Sequence, residues 1–211
     1  MTVLAMFPLG SVLFPGMPLR LQVFEPRYRA LMADCVQSAK RGEPAELGVV
    51  LIERGPEVGG GDRRFDLGTV ARLTRITQLP DGRYAAKATG TRRIAVRSWL
   101  DDDPYPRADV EDLEDLHFDA ALDTALFERA EEQVRRGLAL KHELDEPAHP
   151  EAVELDEDPV TAGWQLAAIA PLGELDRLAL LRSPSCTELL SRLFRLAEDE
   201  AAVLAFRLDS G

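Results

Sequence analysis

Cysteine is nearly absent from this sequence: among 211 residues only Cys35 and Cys186 occur. They lie far apart in the chain, and neither has a second cysteine at C-x-x-C spacing. Neither a disulfide framework nor a structural zinc site is therefore indicated. We expect both side chains to pack as small apolar groups.

Long apolar runs are also missing. No stretch approaches the roughly 20 consecutive apolar residues that a membrane-spanning helix requires. The segment Met1–Leu13 lacks the basic region and the small-residue cleavage site of a signal peptide. We therefore expect no membrane association and a cytoplasmic location.

Residues that commonly carry catalysis are few and scattered. The segment His142–Glu146 begins like the helix of a zinc protease, but no histidine follows four residues after His142, and prolines keep His149 off a common helix face. Nucleophile elbows, dinucleotide-binding glycine motifs and P-loops are absent, and none of the three lysines lies in a recognisable site. The sequence therefore predicts no catalytic residue, no metal and no cofactor, and we expect a protein that is not an enzyme.

Charge divides the chain into two unlike halves. Residues 1–107 carry 16 basic and 12 acidic side chains, whereas residues 108–211 carry 9 basic and 25 acidic ones. The periodicity of the apolar residues changes near the same position. We therefore predict an α+β protein with two domains, a β-rich lobe at 1–114 and a helical lobe at 115–211.

The first half has short apolar runs separated by Gly, Pro and Asp, a pattern typical of strands. Pro80-Asp81-Gly82 predicts a tight hairpin turn, because Asp-Gly supplies the required positive φ. The segment 55–64 predicts a long mobile loop. The predicted strands are 3–7, 19–24, 47–53, 68–79, 84–91, 93–100 and 107–113.

One helix is predicted inside the β-rich half. Pro26 suits the first helical position and Gly42 suits the left-handed residue after the helix end. The apolar residues between them recur at spacings of three and four, which predicts a helix lying across the sheet. We assign this apolar face, including Tyr28 and Met32, to the core.

The second half has a period near 3.6, and we predict helices at 118–141, 159–170, 174–181 and 187–208. Ser185-Cys186-Thr187-Glu188 predicts a capping box, with Ser185 accepting from a backbone amide and Glu188 reaching back. The segment 142–158 contains eight acidic residues and no Lys or Arg. Such a composition predicts an acidic, mobile loop.

Several segments in the first half together resemble the N-terminal, substrate-binding domain of the ATP-dependent Lon proteases. The segments that carry the resemblance are Phe7-Pro8-Leu9, Val12–Leu19, Phe24-Glu25-Pro26-Arg27-Tyr28, Gly68-Thr69-Val70-Ala71, Leu79–Tyr84 and Gly90–Ile94. The resemblance is specific over residues 5–110 and weaker through the helical half. It implies a PUA-like β lobe, a pseudo-barrel with one packed helix, followed by a helical bundle.

The resemblance also implies a function. The sequence contains neither the ATPase module nor the serine–lysine protease module of a full Lon protease, so it implies the binding part alone, and proteolysis is not carried over. We expect a non-enzymatic module that accepts unfolded or extended polypeptide segments in a cleft between the β lobe and the helical lobe. An exposed strand edge or an apolar groove would provide the contacts. A separate ATPase or protease is a further expected partner.

Candidate contact residues lie in the N-terminal motifs. The corner around Gly16 is rigid and apolar; it either lines a binding site or is buried as a strand connection. Glu25 and Arg27 flank a helix start and are expected to form a structural clasp. Of Arg92 and Arg93, one should point inward and hold a carboxylate such as Glu25. The candidate substrate-binding residues are Phe14, Pro15, Met17, Phe24, Glu25, Arg27 and Arg93.

The alternative function is RNA binding by the basic face of the β lobe. Residues 63–107 contain ten basic and five acidic side chains, enough to contact several phosphates. The acidic helical half and the scarcity of aromatic residues for base stacking disfavour nucleic acid. Polypeptide binding therefore remains the leading hypothesis.

Overall fold

The computed structural model describes residues 2–55, 61–149 and 153–210. The chain forms two compact units, Met1–Asp115 and Leu116–Gly211. Part of the predicted 55–64 loop, residues 56–60, lies outside the described residues. No helix in the described part of the chain is both long and apolar enough to cross a bilayer.

Within residues 2–55 and 61–115, the first unit contains six strands and one helix. Because apolar residues alternate with polar ones or form short buried runs, these segments adopt extended structure with one or both faces covered. The elements are β1 (Thr2–Leu9), β2 (Pro18–Val23), α1 (Pro26–Lys40), β3 (Glu46–Arg54), β4 (Arg63–Gln78), β5 (Tyr84–Trp99) and β6 (Arg107–Asp112).

Five of the strands close into a barrel. β3 pairs in parallel with β1 and antiparallel with β4, and β4 pairs with β5. β6 pairs with both β1 and β5, which completes the ring. β2 pairs with the first half of β5, residues 84–89, and does not enter the ring. This closed sheet with its extra strand is the expected PUA-like pseudo-barrel.

Two apolar clusters fill this unit. One lies inside the barrel and takes side chains from all five of its strands: Met6, Val50, Val70, Ile94, Ala108 and Val110. The other lies between the sheet and α1, where Tyr28, Leu31, Met32 and Cys35 pack against residues of β1 to β5. The expectation that α1 lies across the sheet with this face in the core is confirmed.

Two predicted strands, 84–91 and 93–100, are one strand, so the predicted break at Arg92 is wrong. The register with β4 changes from Thr69 opposite Arg93 to Ala71 opposite Gly90, which leaves two residues of β5 facing Val70. This is a β-bulge, which bends a strand without ending it. The bulge separates the half of β5 that pairs with β2 from the half that pairs with β6.

The turn at Pro80-Asp81-Gly82 is confirmed. Gly82 has a φ of 80°, and its amide donates to the carbonyl of Leu79 at 2.9 Å. Gly42, with a φ of 77°, follows α1 as expected. At its N-terminal end β4 begins at Arg63, five residues before the predicted start, because Arg63 and Arg64 pair with β3.

The second unit is helical. Its elements are α2 (Ala120–Glu143), α3 (Pro159–Ile169), α4 (Glu174–Leu181) and α5 (Cys186–Asp209). The two 24-residue helices α2 and α5 pack along one another, and α3 and α4 both contact α5. Their buried stripes consist mostly of leucine and alanine, as the periodicity of the sequence predicts.

Side-chain caps set three of the helix starts. Asp119, Asp158 and Ser185 accept hydrogen bonds from backbone amides at the beginnings of α2, α3 and α5. Ser185 Oγ accepts from the amide of Glu188 at 3.2 Å, which confirms the first half of the predicted capping box. The carboxylate of Glu188 instead accepts from Arg192, one helical turn further on.

The described parts of the acidic segment 142–158 are held by hydrogen bonds. Glu146 pairs with Lys141 and Arg207, and the amide of Asp156 donates to Gln165 Oε1 at 2.6 Å. Arg135 donates to the carbonyl of Val153 at 3.3 Å. The composition predicts mobility, but these contacts attach the segment to α2, α3 and α5.

Candidate functional site

The structure places two of the seven candidate residues in the interior of the first unit. Phe14 is 1% exposed, and its carbonyl oxygen accepts from the amide of Met17 at 3.2 Å. Arg93 is buried on β5, whereas its neighbour Arg92 is partly exposed. The inward and outward alternation of this arginine pair is as expected. Neither Phe14 nor Arg93 presents its side chain at the surface.

Arg93 contacts the main chain. Its Nη2 donates to the backbone carbonyl of Glu114 at 2.6 Å. That Arg93 also holds a carboxylate such as Glu25 stays a prediction. Burial lowers the pKa of Arg93, and the nearby Asp115 acts in the opposite direction. The sequence indicates an inward arginine but contains no local signal for a backbone acceptor 21 residues away.

The apolar corner between β1 and β2 is attached to β5. Gly16 has a φ of 78°, and its amide donates to the carbonyl of Gly90 at 2.9 Å. The amide of Gly90 in turn donates to the carbonyl of Met17 at 2.9 Å. Pro15 and Met17 remain partly exposed, and Met17 packs against the cluster under α1. Of the two interpretations of this corner, these contacts favour the strand connection.

The other three candidates lie together where β2 leads into α1. Phe24 is 52% exposed, which is unusual for so large an apolar side chain. Glu25 Oε2 lies 3.2 Å from Arg27 Nε, and Cζ of Arg27 lies 4.5 Å from the centre of the Tyr28 ring. The expected clasp between Glu25 and Arg27 is present. It holds the start of α1 beside the exposed phenyl ring.

A cavity of about 210 Å³ opens at this junction. It is smaller than the roughly 300 Å³ at which typical small-molecule pockets begin, so its size suits one side chain. The wall is formed by Phe7, Pro8, Leu9, Arg20, Leu21, Gln22, Val23, Phe24, Glu25 and Tyr28. Two of the candidates, Phe24 and Glu25, therefore line a cavity.

Two strand edges flank this cavity. Within the described residues, β2 pairs with β5 alone, so its outer edge carries no strand. β6 pairs with Thr2–Ala5 of β1 and β3 pairs with Met6–Leu9, so no strand of the described chain covers the side of Phe7–Leu9 away from β3. The cavity therefore lies at an opening beside main-chain groups able to accept an added strand.

Three basic side chains cross the outer face of the sheet beside this edge. Arg20 of β2 is opposite Lys87 of β5, and Lys87 is opposite Arg75 of β4. All three are exposed, and within the described chain none of them forms an ion pair. Since adjacent strands are about 4.8 Å apart, the three cations form a continuous basic row.

Most of the cavity wall has no signal in the local sequence. Leu21 and Val23 follow from the alternation in β2, but the contribution of Phe7–Leu9 depends on how distant strands pair. Tyr28, which we assigned to the core, is buried there and stacks on Phe7 with ring centres 4.2 Å apart. Burial raises the pKa of Tyr28 to about 12, although Arg27 acts in the opposite direction.

Metal ligands are not assembled in the part of the chain that the structure describes. No group of three or more His, Cys, Asp or Glu side chains there is arranged to hold an ion. Cys35 and Cys186 are both buried free thiols, as expected from the sequence.

Comparison with known proteins adds to this geometry. The family model described as the ATP-dependent protease La (LON) substrate-binding domain matches residues 3–199. Lon protease 2 of Herpetosiphon aurantiacus is 26% identical over 198 residues, or 93% of this chain and 23% of that protein. Lon protease of Cytophaga hutchinsonii is 30% identical over 151 residues, or 70% of this chain and 18% of that protein. The chain thus spans less than a quarter of either relative.

Solved structures show the same fold. The Lon N-terminal domain protein from Xanthomonas campestris is 27% identical, has a TM-score of 0.62, and the match covers 92% of this chain and 98% of that one. The N-terminal domain of a Mycobacterium avium complex Lon protease has a TM-score of 0.64 at 17% identity, with 94% and 99% covered. The α+β architecture is therefore shared with these two domains.

Proposed function

The chain belongs to the family of Lon substrate-binding domains, and from that premise we propose that it binds extended segments of other polypeptides without a chemical reaction of its own. The Lon proteases that it matches are several times longer than the matched part. Their proteolytic activity is accordingly not part of the proposal. An ATPase or protease module to which a bound segment is passed is the proposed further partner.

The observation that carries the proposal is the open edge of β2 beside the cavity at Phe24. An extended segment would add to this edge as a further strand and form main-chain hydrogen bonds that do not depend on its sequence. Alternate side chains of an added strand point to opposite faces. Those on the inner face would meet the cavity, where Leu21, Val23 and Phe24 offer apolar contact.

The outer face adds a charge preference. A side chain of the bound segment opposite Arg20 would lie at the end of the basic row formed by Arg20, Lys87 and Arg75. A favourable cross-strand charge pair contributes about 0.2–1 kcal/mol, and like charges directly opposite are unfavourable. The proposed segments therefore alternate apolar residues with acidic ones.

The test uses fluorescein-labelled peptides in which Leu or Phe alternates with Glu, and matched peptides in which Lys replaces Glu. We expect fluorescence anisotropy to show that the acidic series binds through the β2 edge, so that Phe24→Ala affects its affinity more than it affects the affinity of the lysine series. Phe24→Ala should weaken this binding at least tenfold, which corresponds to about 1.4 kcal/mol. Arg20→Glu should reduce the preference for acidic peptides.

Two control variants separate binding from folding. Val3 is as exposed as Phe24 but lies on β1 outside the cavity wall, so Val3→Ala should leave the affinity unchanged. Met32 is fully buried, so Met32→Ala should cost about 2–5 kcal/mol of unfolding free energy while the folded fraction binds normally. Equal losses for Phe24→Ala and Val3→Ala, or no binding by the wild type, would contradict the proposal.

The alternative of RNA binding has less support from the described contacts. Six of the ten basic side chains in residues 63–107 form ion pairs with nearby carboxylates: Arg63, Arg64, Arg72, Arg83, Arg92 and Arg97. Arg93 is buried. The excess of positive charge in the sequence is therefore largely neutralised, which weakens the electrostatic attraction on which RNA binding depends. Single-stranded RNA in the same assay, at about 50 mM salt, tests this alternative.

A further inference from the structure

The second unit contains a larger groove that the strand-edge proposal does not use. Its volume is about 850 Å³, near the upper end of the roughly 300–1,000 Å³ typical of ligand sites. One wall is a face of α2, and the other is the irregular segment 153–157 together with the start of α3. Its apolar lining includes Phe118, Phe127, Val153, Leu155 and Pro159, and carboxylates form its rim.

The floor of the groove is apolar and accessible. Phe118, Phe127, Val153, Leu155 and Pro159 are each partly exposed. Exposed apolar surface gathered in one concavity, with polar groups around it, is the usual mark of an interaction site. A partner that covers these side chains would gain the free energy of removing them from water.

The wall formed by segment 153–157 is fixed at both ends. The carbonyl of Val153 accepts from Arg135 on α2, and the amide of Asp156 donates to Gln165 on α3. Asp158, two residues after Asp156, caps α3 by accepting a hydrogen bond from the amide of Thr161 at 2.8 Å. The groove is thus held open between two helices before any partner arrives, which lowers the conformational cost of binding.

The rim is strongly acidic. Its charged residues are Glu128, Glu131, Glu154, Asp156, Glu157 and Arg135. Arg135 is already engaged, because its Nη2 lies 2.6 Å from Glu131 Oε1 and its Nε donates to the same oxygen at 2.9 Å. Within the described residues, Glu128, Glu154 and Glu157 are exposed and have no cationic partner. These free carboxylates lie on both walls of the groove.

We infer that this groove binds a basic amphipathic polypeptide segment, with an apolar anchor of Phe or Leu flanked on both sides by Lys or Arg. The apolar floor accommodates the anchor, and the carboxylates on α2 and on segment 153–157 pair with the flanking cations. Complementary charge of this kind selects the partner and accelerates its association. An acidic segment would face like charge on both walls, so this site and the β2 edge prefer opposite charges.

The test uses two labelled peptides with the same Phe-Leu centre, one flanked by Arg and Lys and the other by Glu. We expect the basic peptide to bind at least tenfold more tightly than the acidic one at about 50 mM salt. The affinity should fall several-fold at about 500 mM salt, because exposed charge pairs are screened. The comparison is made in the Phe24→Ala variant, in which binding at the β2 edge is impaired. Equal affinity of this variant for the two peptides, or binding that does not respond to salt, would overturn the inference.

Matched variants assign the binding to the groove. Leu155→Ser should weaken binding of the basic peptide at least tenfold. The double change Glu154→Lys with Glu157→Lys should weaken it to a similar extent. Leu175→Ser on α4 and Glu198→Lys on α5 change exposed residues outside the groove and should leave its affinity within twofold of the wild type. Circular dichroism confirms that each variant is folded, and equal effects of groove and control variants would refute the assignment.

The two proposals fail independently. Phe24→Ala and Arg20→Glu should leave the affinity for the basic peptide unchanged, whereas Leu155→Ser should leave the affinity for the acidic alternating peptide unchanged. If Phe24→Ala abolished the binding of both peptides, all binding would occur at the β2 edge and the groove proposal would be wrong. Binding of the basic peptide alone would support the groove and remove the strand-edge proposal.

Discussion

The α-carbon of Gly90 lies directly against the carbonyl oxygen of Phe14. A Cβ atom built on Gly90 would lie 2.3 Å from that oxygen and 3.1 Å from the carbonyl carbon. Hydrogen bonds from Gly16 to Gly90 and from Gly90 to Met17 join the same two segments. The corner that leads into β2 is therefore seated on β5 by a close backbone contact that only glycine permits.

This contact predicts a large cost for Gly90→Ala. The added methyl group meets backbone atoms, which cannot move aside as a flexible side chain can, so the corner must shift away from β5. We expect the free energy of unfolding to fall by about 1–3 kcal/mol, the usual cost of overpacking. Urea unfolding followed by circular dichroism measures the change.

Gly163→Ala is the matched control. Gly163 lies inside α3, and its added Cβ would meet only Leu189 and Leu190 at ordinary contact distances of 3.7 and 3.9 Å. Since glycine destabilises a helix interior relative to alanine, this change should stabilise the protein by about 0.5–1 kcal/mol. The same effect at both positions would contradict the close contact at Gly90.

Arg64 predicts a difference between arginine and lysine. Its side chain is 9% exposed; Nε lies 2.5 Å from Asp62 Oδ2, Nη2 lies 2.6 Å from Asp102 Oδ2, and Cζ lies 4.7 Å from the Trp99 ring centre. Lysine keeps the charge but cannot serve two carboxylates and a ring face at once. We expect Arg64→Lys to lower the free energy of unfolding by about 1.5–3 kcal/mol.

The neighbouring Arg63 is the control for this substitution. Its side chain is 72% exposed and pairs with Glu53 at 3.3 Å. Arg63→Lys should change the free energy of unfolding by less than about 0.5 kcal/mol, as surface substitutions usually do. If urea titrations show the two variants to be equally stable, the network around Arg64 does not stabilise the fold.

The two buried thiols predict a loss of stability at alkaline pH. Burial, with a smaller effect of Asp34, raises the pKa of Cys35 to about 11; burial and the nearby Asp123 raise the pKa of Cys186 to about 12. In the unfolded chain a thiol ionises near pH 8.5, so above about pH 9 the unfolded state releases protons that the folded state keeps. The contribution of the two protonated thiols to the free energy of unfolding should therefore be complete below about pH 8.5. Above that pH the free energy of unfolding should decline by up to about 1.4 kcal/mol per pH unit for each thiol.

Urea unfolding at about pH 7, 9 and 10.5 under reducing conditions measures this decline. The double variant Cys35→Ala with Cys186→Ala should show a shallower decline, because it removes both thiols. A wild-type stability that stays constant to about pH 10.5 would show that the buried thiols are not linked to folding.

The local sequence predicts only part of the candidate site. Phe24 and the clasp between Glu25 and Arg27 lie together at the start of α1, as the motif predicts, because these residues are neighbours in the chain. Phe14 belongs to the same motif, yet it is buried, since its environment depends on the approach of Gly90 from another strand. The basic row of Arg20, Lys87 and Arg75 likewise exists only through strand pairing.

The sequence by itself determines the helices. Helical hydrogen bonds join residues four positions apart, and the caps and apolar stripes lie within the same segment. The sequence therefore predicts α4 with its observed bounds and identifies Ser185 as the cap of α5. The tertiary structure decides the continuity of β5 through its bulge, the closure of the barrel and the open edge of β2. Strands take their hydrogen bonds from distant parts of the chain, and which edges remain unpaired is known only when all the strands have found their partners.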